Sequence, residues 1–250
     1  RNGLPAARCE MKSIGDEQER NCVMIETLEQ KQQIVRCIRM LERSDIIDYN
    51  GHASVRIGEQ RMLINIGSCQ RSQLTVDDIC TIDFDGNLIE GKGKPPLEFH
   101  LHAGIYKSRT DVDAVIHAHP NWSTILSTAG QAYLPVYAQG SLVYPLPVLD
   151  SPDSINNPEM AKRLTDVLGD RPAVLMKAHG AATTGKSIID AFVLINYLED
   201  NAYRQYMSSQ IGKPYAFSEK EIAMCREKLW NANLFKRTWD HFSAKLDEAR

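Results

Sequence analysis

No run of apolar residues approaches the roughly 20 that a membrane-spanning helix needs. There is no surplus of one charge either: 29 Lys and Arg face 32 Asp and Glu, a net charge of −3. The first absence argues against a membrane protein, and the second removes the basic footprint of a nucleic-acid binder. The first residues, Arg1-Asn2-Gly3-Leu4-Pro5, lack the apolar stretch of a signal peptide, so a cytoplasmic location is expected. Six cysteines are present but no C-x-x-C pair. Scattered thiols in a chain of this size point to a reducing compartment rather than a disulfide frame. No internal repeat is visible.

What is present is an ordinary globular composition, 43% hydrophobic and 24% charged, in 250 residues. Residues 1–20 are polar and aperiodic and read as an arm, followed by one α/β domain over 21–250. Helical spacing covers 23–41, 98–106, 122–128, 160–168, 188–208 and 219–230, with a polar tail beyond. Strand-like stretches fall at 53–57, 62–66, 79–83, 87–90 and 173–178, with a hairpin turn at Asp85-Gly86. Strands and helices interleave without a linker, which favours a single domain.

The most informative stretch is Ala114-Val115-Ile116-His117-Ala118-His119-Pro120. Residues i and i+2 of a strand share a face, so His117 and His119 aim two imidazoles at one point. A third histidine, His179, also ends an apolar strand, in Val174-Leu175-Met176-Lys177-Ala178-His179-Gly180. Three imidazoles with an open position describe a catalytic metal site, suited to zinc, manganese, iron or nickel. Glu98 stands at the head of a predicted helix. A carboxylate there either answers the helix dipole or serves as acid or base beside the metal. His100 and His102 follow, but i and i+2 on a helix point about 200° apart, so both cannot join one site. His102, one turn from Glu98, is the one placed to line the site or orient a ligand. Arg56 and Arg109 have two readings, a grip on a carboxylate or a structural ion pair.

Glu98, His117-Ala118-His119-Pro120 and Lys177-Ala178-His179-Gly180, in that order, resemble the class II aldolase/adducin family. So does the lead-in Arg109-Thr110-Asp111-Val112, and the likeness runs from about residue 28 to 205. It implies a three-layer α/β/α domain around a mixed, largely antiparallel sheet. It also implies one divalent ion per subunit, Mn2+ or Zn2+, on His117, His119 and His179, with Glu98 as acid/base or transient ligand. The expected assembly is a homotetramer with its active site at a subunit interface. Tyr137 stands where aldolase members place a proton-donating tyrosine, with Tyr133 and Tyr144 as rivals.

Two departures bear on the substrate. Sugar-phosphate members carry a Gly-Asn-Ser-type turn and a Ser-Ser before the glutamate, which together cradle a phosphate. This chain has Asn50-Gly51-His52-Ala53-Ser54 and Lys94-Pro95-Pro96-Leu97 instead. Prolines and a leucine supply neither hydroxyls nor a pair of N–H donors. The Asn-Gly-His turn resembles a branch that decarboxylates hydroxylated aromatic or pyridine carboxylates, of the 3-hydroxy-2-methylpyridine-4,5-dicarboxylate kind. The expectation is therefore a metal-dependent carbon–carbon lyase acting on a small molecule, with class II aldolase or epimerase as the alternative. Asn50, Gly51, Ser54 and His102 are the expected substrate-binding residues, with Glu98, His52 and Tyr137 as catalytic groups.

Overall fold

Strands with alternating faces need cover on both sides when both faces are apolar, and helices supply that cover here. The computed structural model describes residues 7–248. Eight strands form one sheet in the order β4 (Leu88–Glu90), β3 (Ile79–Asp83), β2 (Arg61–Asn65), β1 (His52–Arg56), β5 (Ala114–Ala118), β8 (Gly180–Gly185), β7 (Ala173–Met176), β6 (Val148–Leu149). Only β6 and β7 pair in parallel; the other neighbours are antiparallel. The sheet is mixed and largely antiparallel, as expected.

Helices α1 (Ala7–Arg43), α3 (Asn121–Thr128), α5 (Ile188–Ile211) and α7 (Ala232–Asp247) cover one face. Ala53, Val55, Leu63, Ile116 and Leu175 point into that layer. Helices α2 (Phe99–Ser108) and α4 (Pro158–Leu168) cover the other, against Met62, Ile64, Val115 and Val174. The neighbours Val115 and Ile116 thus go to opposite layers, the period of two that the sequence shows. Helix α6 (Glu219–Leu229) packs on a short 3-10 turn at Ala138–Leu142.

The C-terminal helix is part of the core. Phe192 of α5 is fully buried and meets Trp239 and Phe242 of α7 edge to face, with ring centroids 5.2 and 5.4 Å apart. Phe192→Ala is expected to cost about 3–5 kcal/mol, most of it from the cavity left between the helices. A urea melt of the variant should show a lowered midpoint with an unchanged slope.

Two elements differ from the sequence reading, and a third, the polar tail, takes the helical form that reading left open. The first helix begins at Ala7, so the backbone of residues 7–20 is helical, while residues 1–6 of the expected arm lie outside the described residues. The polar tail is helix α7, whose buried Phe235, Trp239 and Leu246 recur at helical spacing. Strand β8, Gly180-Ala181-Ala182-Thr183-Thr184-Gly185, has no large apolar residue to announce it. It is nonetheless central, paired with both β5 and β7, because small side chains let α5 lie close to the sheet.

Candidate metal centre

The antiparallel arrangement brings four chain segments to one end of the central strands. His117 is the fourth residue of β5, and His119 follows the strand's end. His179 sits on the turn from β7 to β8, and Glu98 is the N-cap residue of α2. The turn that aims His179 passes through Ala178 at φ 54°, a left-handed conformation unusual for a residue with a Cβ. The Ala178 N–H donates to Ser127 Oγ at 3.0 Å, which holds that turn against α3. Gly180, next in line, has no room for a side chain. A Cβ there would lie 2.4 Å from the Ala118 carbonyl and 2.8 Å from the His119 ring.

The three predicted ligands do come together. One side-chain donor atom from each of Glu98, His117, His119 and His179 falls within 4.8 Å of the others. Glu98 Oε2 is 3.4 Å from His117 Nε2, and Glu98 Oε1 is 3.7 Å from His179 Nε2. Ligands ~2.1 Å from a tetrahedral ion stand about 3.4 Å apart. Behind the cluster, His117 Nδ1–H donates to the Ala181 carbonyl (3.1 Å), His119 Nδ1–H to Asp48 Oδ2 (3.0 Å) and His179 Nδ1–H to the Asp153 carbonyl (3.2 Å). Each outer oxygen fixes the tautomer that leaves Nε2 bare, the usual support of a metal-binding imidazole. Nε2 of His117 and of His119 are buried without any hydrogen-bond partner. Buried lone pairs left in that state are costly, about 1–3 kcal/mol each. The donor set, its spacing and its orphaned nitrogens all fit a divalent cation.

Around Glu98 the electrostatics are strongly polarised. Burial by itself would raise its carboxyl, but the His117 and His52 rings packed against it outweigh that and hold it well below the usual carboxylate range. Its Oε1 also accepts the Ile155 N–H at 2.9 Å. Burial pushes the His52 imidazole down to about 4, against the opposing pull of Glu98. His102 is pushed well below its ordinary value by burial too. The signs agree. His52 and His102 bind fewer protons folded than unfolded as pH drops below about 6.5, and Glu98 does the same below about 4.3. The metal-free protein is therefore expected to lose stability as pH falls from about 6.5 to 4. Urea melts across that range should show the slope, and His52→Gln should flatten it.

A family model described as the class II aldolase and adducin N-terminal domain matches residues 32–206. The chain belongs to the class II aldolase/adducin family. An L-fuculose phosphate aldolase of Methanocaldococcus jannaschii is 33% identical over 191 residues, covering 70% of this chain and 94% of that one. A 3,4-dihydroxyphthalate decarboxylase of Arthrobacter keyseri is 32% identical over 160 residues, covering 56% of this chain and 62% of the relative. The L-fuculose 1-phosphate aldolase structure from Glaciozyma antarctica PI12 shares the fold with a TM-score of 0.79 at 20% identity, over 90% of each chain. This chain is accordingly an enzyme of a lyase family, and its cluster is of the kind that holds a divalent ion.

The remaining predicted residues separate into groups. Asn50 lines an open cavity of 1010 Å³ beside the cluster, together with His119, His179, Cys69 and Ser72. Gly51 is buried beneath it, where a Cβ would lie 1.8 Å from Ile47 Cγ1 and 3.2 Å from the His117 carbonyl. Its contribution is backbone fit rather than a substrate contact. His52 opens β1 directly opposite His117, with ring centroids 4.9 Å apart, so it is a strand residue and not a turn cap. Ser54 and His102 do not bind substrate from these positions: both are fully buried, and their polar atoms are taken up by His52, Tyr106 and each other. Tyr137 is absent from the cavity wall of its own chain. Its ring lies under Arg204, whose guanidinium carbon is 4.0 Å from the ring centroid. His100 stacks on Phe99, with ring centroids 4.0 Å apart. Arg56 and Arg109 are structural; both spend N–H groups on backbone carbonyls, and Arg109 also pairs with Asp111.

Sequence reasoning missed Asp48 and Arg71. Asp48 was visible only as a turn former, although it is the outer partner of His119. Arg71 is buried and donates to the carbonyls of Gly51 (2.7 Å), Cys69 (2.6 Å) and Asn50 (3.3 Å), pinning the 50–51 turn. An arginine in a polar loop carries no sign of that role.

Proposed function

We propose that this enzyme is a divalent-metal-dependent carboxy-lyase acting on a hydroxylated pyridine or aromatic dicarboxylate, 3-hydroxy-2-methylpyridine-4,5-dicarboxylate being one candidate. The observation that carries this reading is the segment before Glu98. Lys94-Pro95-Pro96-Leu97 offers no hydroxyl, and the Gly67 N–H packed beside it is already spent on the Lys94 carbonyl. A phosphate would find few donors there. The relatives named as 3,4-dihydroxyphthalate decarboxylases, from Arthrobacter keyseri and a Terrabacter strain, support the same direction.

His117, His119 and His179 would hold the ion, Zn2+ or Mn2+. Bound there, it supplies Lewis acidity beside the substrate's hydroxyl and carboxylate. In decarboxylation the bond from the ring carbon to the carboxylate breaks and carbon dioxide leaves. A proton first reaches that ring carbon as the ionised hydroxyl oxygen becomes a carbonyl, and Glu98 and His52 flank the place where it is needed. The electron pair of the breaking bond then restores the aromatic ring and returns the carbonyl to the ionised hydroxyl. Among the described residues the cavity's one cation, Arg71, is committed to backbone carbonyls. Counter-charge for a dicarboxylate therefore falls to the ion and to a neighbouring subunit of the expected tetramer, which would also be where Tyr137 acts.

Aldol cleavage of a sugar phosphate is the second reading. It is favoured by the aldolase of Methanocaldococcus jannaschii, which aligns over 94% of its length. Both reactions leave an electron pair that needs the same sink. The metal-loaded enzyme should be offered hydroxy-pyridine and hydroxy-phthalate dicarboxylates while carbon dioxide is measured, with L-fuculose 1-phosphate in parallel. Carbon dioxide release from a ring acid is the expected result. Cleavage of the sugar phosphate with no ring acid consumed would reverse the assignment.

A further inference from the structure

Behind His52 the sheet and α2 bury a line of four polar groups. His52 Nδ1 is 2.7 Å from His102 Nε2, His102 Nδ1 is 2.6 Å from Ser54 Oγ, and Ser54 Oγ is 2.7 Å from the Tyr106 hydroxyl. His52, Ser54, His102 and Tyr106 are each at most 1% exposed. His52 and Ser54 are residues i and i+2 of β1, and His102 and Tyr106 are i and i+4 of α2, so each pair shares a face. At the far end, His52 Nε2 lies 3.5 Å from Glu98 Oε2.

The protons in this line can run in only one direction without stranding one. The Tyr106 hydroxyl is buried, and no acceptor but Ser54 Oγ reaches its proton among the described residues. Tyr106 therefore donates to Ser54, and Ser54 donates to His102 Nδ1. His102 then carries its proton on Nε2 and donates to His52 Nδ1. His52 is left with its proton on Nε2, facing the Glu98 carboxylate. In the reverse direction the Tyr106 proton has no acceptor, and the His52 lone pair faces a carboxylate oxygen.

His52 thus differs from its three neighbours by what stands behind it. Oxygen acceptors behind His117, His119 and His179 leave bare Nε2 atoms pointing inward. A nitrogen donor behind His52 does the opposite. We infer that the Tyr106–Ser54–His102 line fixes His52 as its Nε2–H tautomer, so that this ring presents a proton to Glu98 and stays out of the metal's ligand set. The donor atoms that meet within 4.8 Å come from Glu98, His117, His119 and His179, and His52 reaches that group only through Glu98. Ser54, His102 and Tyr106 are positioning residues, and His52 orients Glu98. The inference rests on the proposed metal site but not on which substrate is turned over.

The test is a long-range 1H–15N correlation on the full-length, zinc-loaded protein labelled in histidine, with His52→Gln and His102→Gln spectra for assignment. His52 and His102 should both appear as Nε2–H forms, and the three ligands as Nδ1–H forms with shifted, metal-bound Nε2. An Nδ1–H signal from His52 overturns the inference. The second arm replaces zinc with Co2+. His102→Gln keeps an acceptor and a donor in the same places and should retain the wild-type visible spectrum. His102→Leu should let His52 take the Nδ1–H form, turn its bare Nε2 toward Glu98, and lower turnover about 10- to 100-fold. A folded His102→Leu protein in which His52 keeps the Nε2–H form also overturns it. Failure of the substrate assignment would instead leave every one of these spectra unchanged.

Discussion

Replacing His117 with alanine is expected to abolish metal binding and activity together. His117 is the most enclosed of the three imidazoles, fully buried, with its Nε2 unpartnered and 3.4 Å from Glu98. Losing it leaves two partly exposed histidines, too few to hold an ion with an open position. The ion's stabilisation of developing charge is worth several kcal/mol, so kcat/KM should fall by about 1,000-fold or more. Elemental analysis of the dialysed protein gives the first readout. A second comes from thermal melts. Zinc at about 1,000 times its Kd should stabilise the wild type by roughly 4 kcal/mol and leave His117→Ala unmoved. A variant that keeps both its ion and its turnover would remove the site from this part of the fold.

Glu98→Gln is expected to separate metal binding from chemistry. Glutamine keeps the length of the side chain, and its amide oxygen can still accept the Ile155 N–H. The change removes the charge and the capacity to carry a proton. With the three imidazoles intact, metal content should stay near that of the wild type while kcat drops about 100- to 10,000-fold. Loss of the ion to the extent seen in His117→Ala would make Glu98 a permanent ligand instead. Turnover within tenfold of wild type would remove it from the reaction.

Where the sequence succeeds, the cause is local geometry. His117 and His119 are tied by the two-residue period of a strand, and Glu98 by its place at the start of α2. The same local rules exposed the hairpin of β3 and β4 through Asp85-Gly86. They failed at β8, whose alanines and threonines carry little apolar bulk, although it is the strand that holds His179's turn next to β5. They failed as well for Ser54 and His102. Chemistry alone made these look like substrate contacts, whereas packing of α2 on β1 turns both inward.

By itself, then, the chain determined the fold class and the family and singled out the three histidines and the carboxylate that meet in the fold, because each of these is written in short-range periodicity and in the order of motifs. Tertiary structure decided what each group does. The register that sets His52 against His117, the reach of Asp48 to His119 and of Ile155 to Glu98, and the line from Tyr106 to His52 all join residues distant in sequence. Pairings of that kind have no period and often use backbone atoms, so they leave no mark on the residues that make them. They nevertheless settle which imidazoles offer a lone pair and which offers a proton.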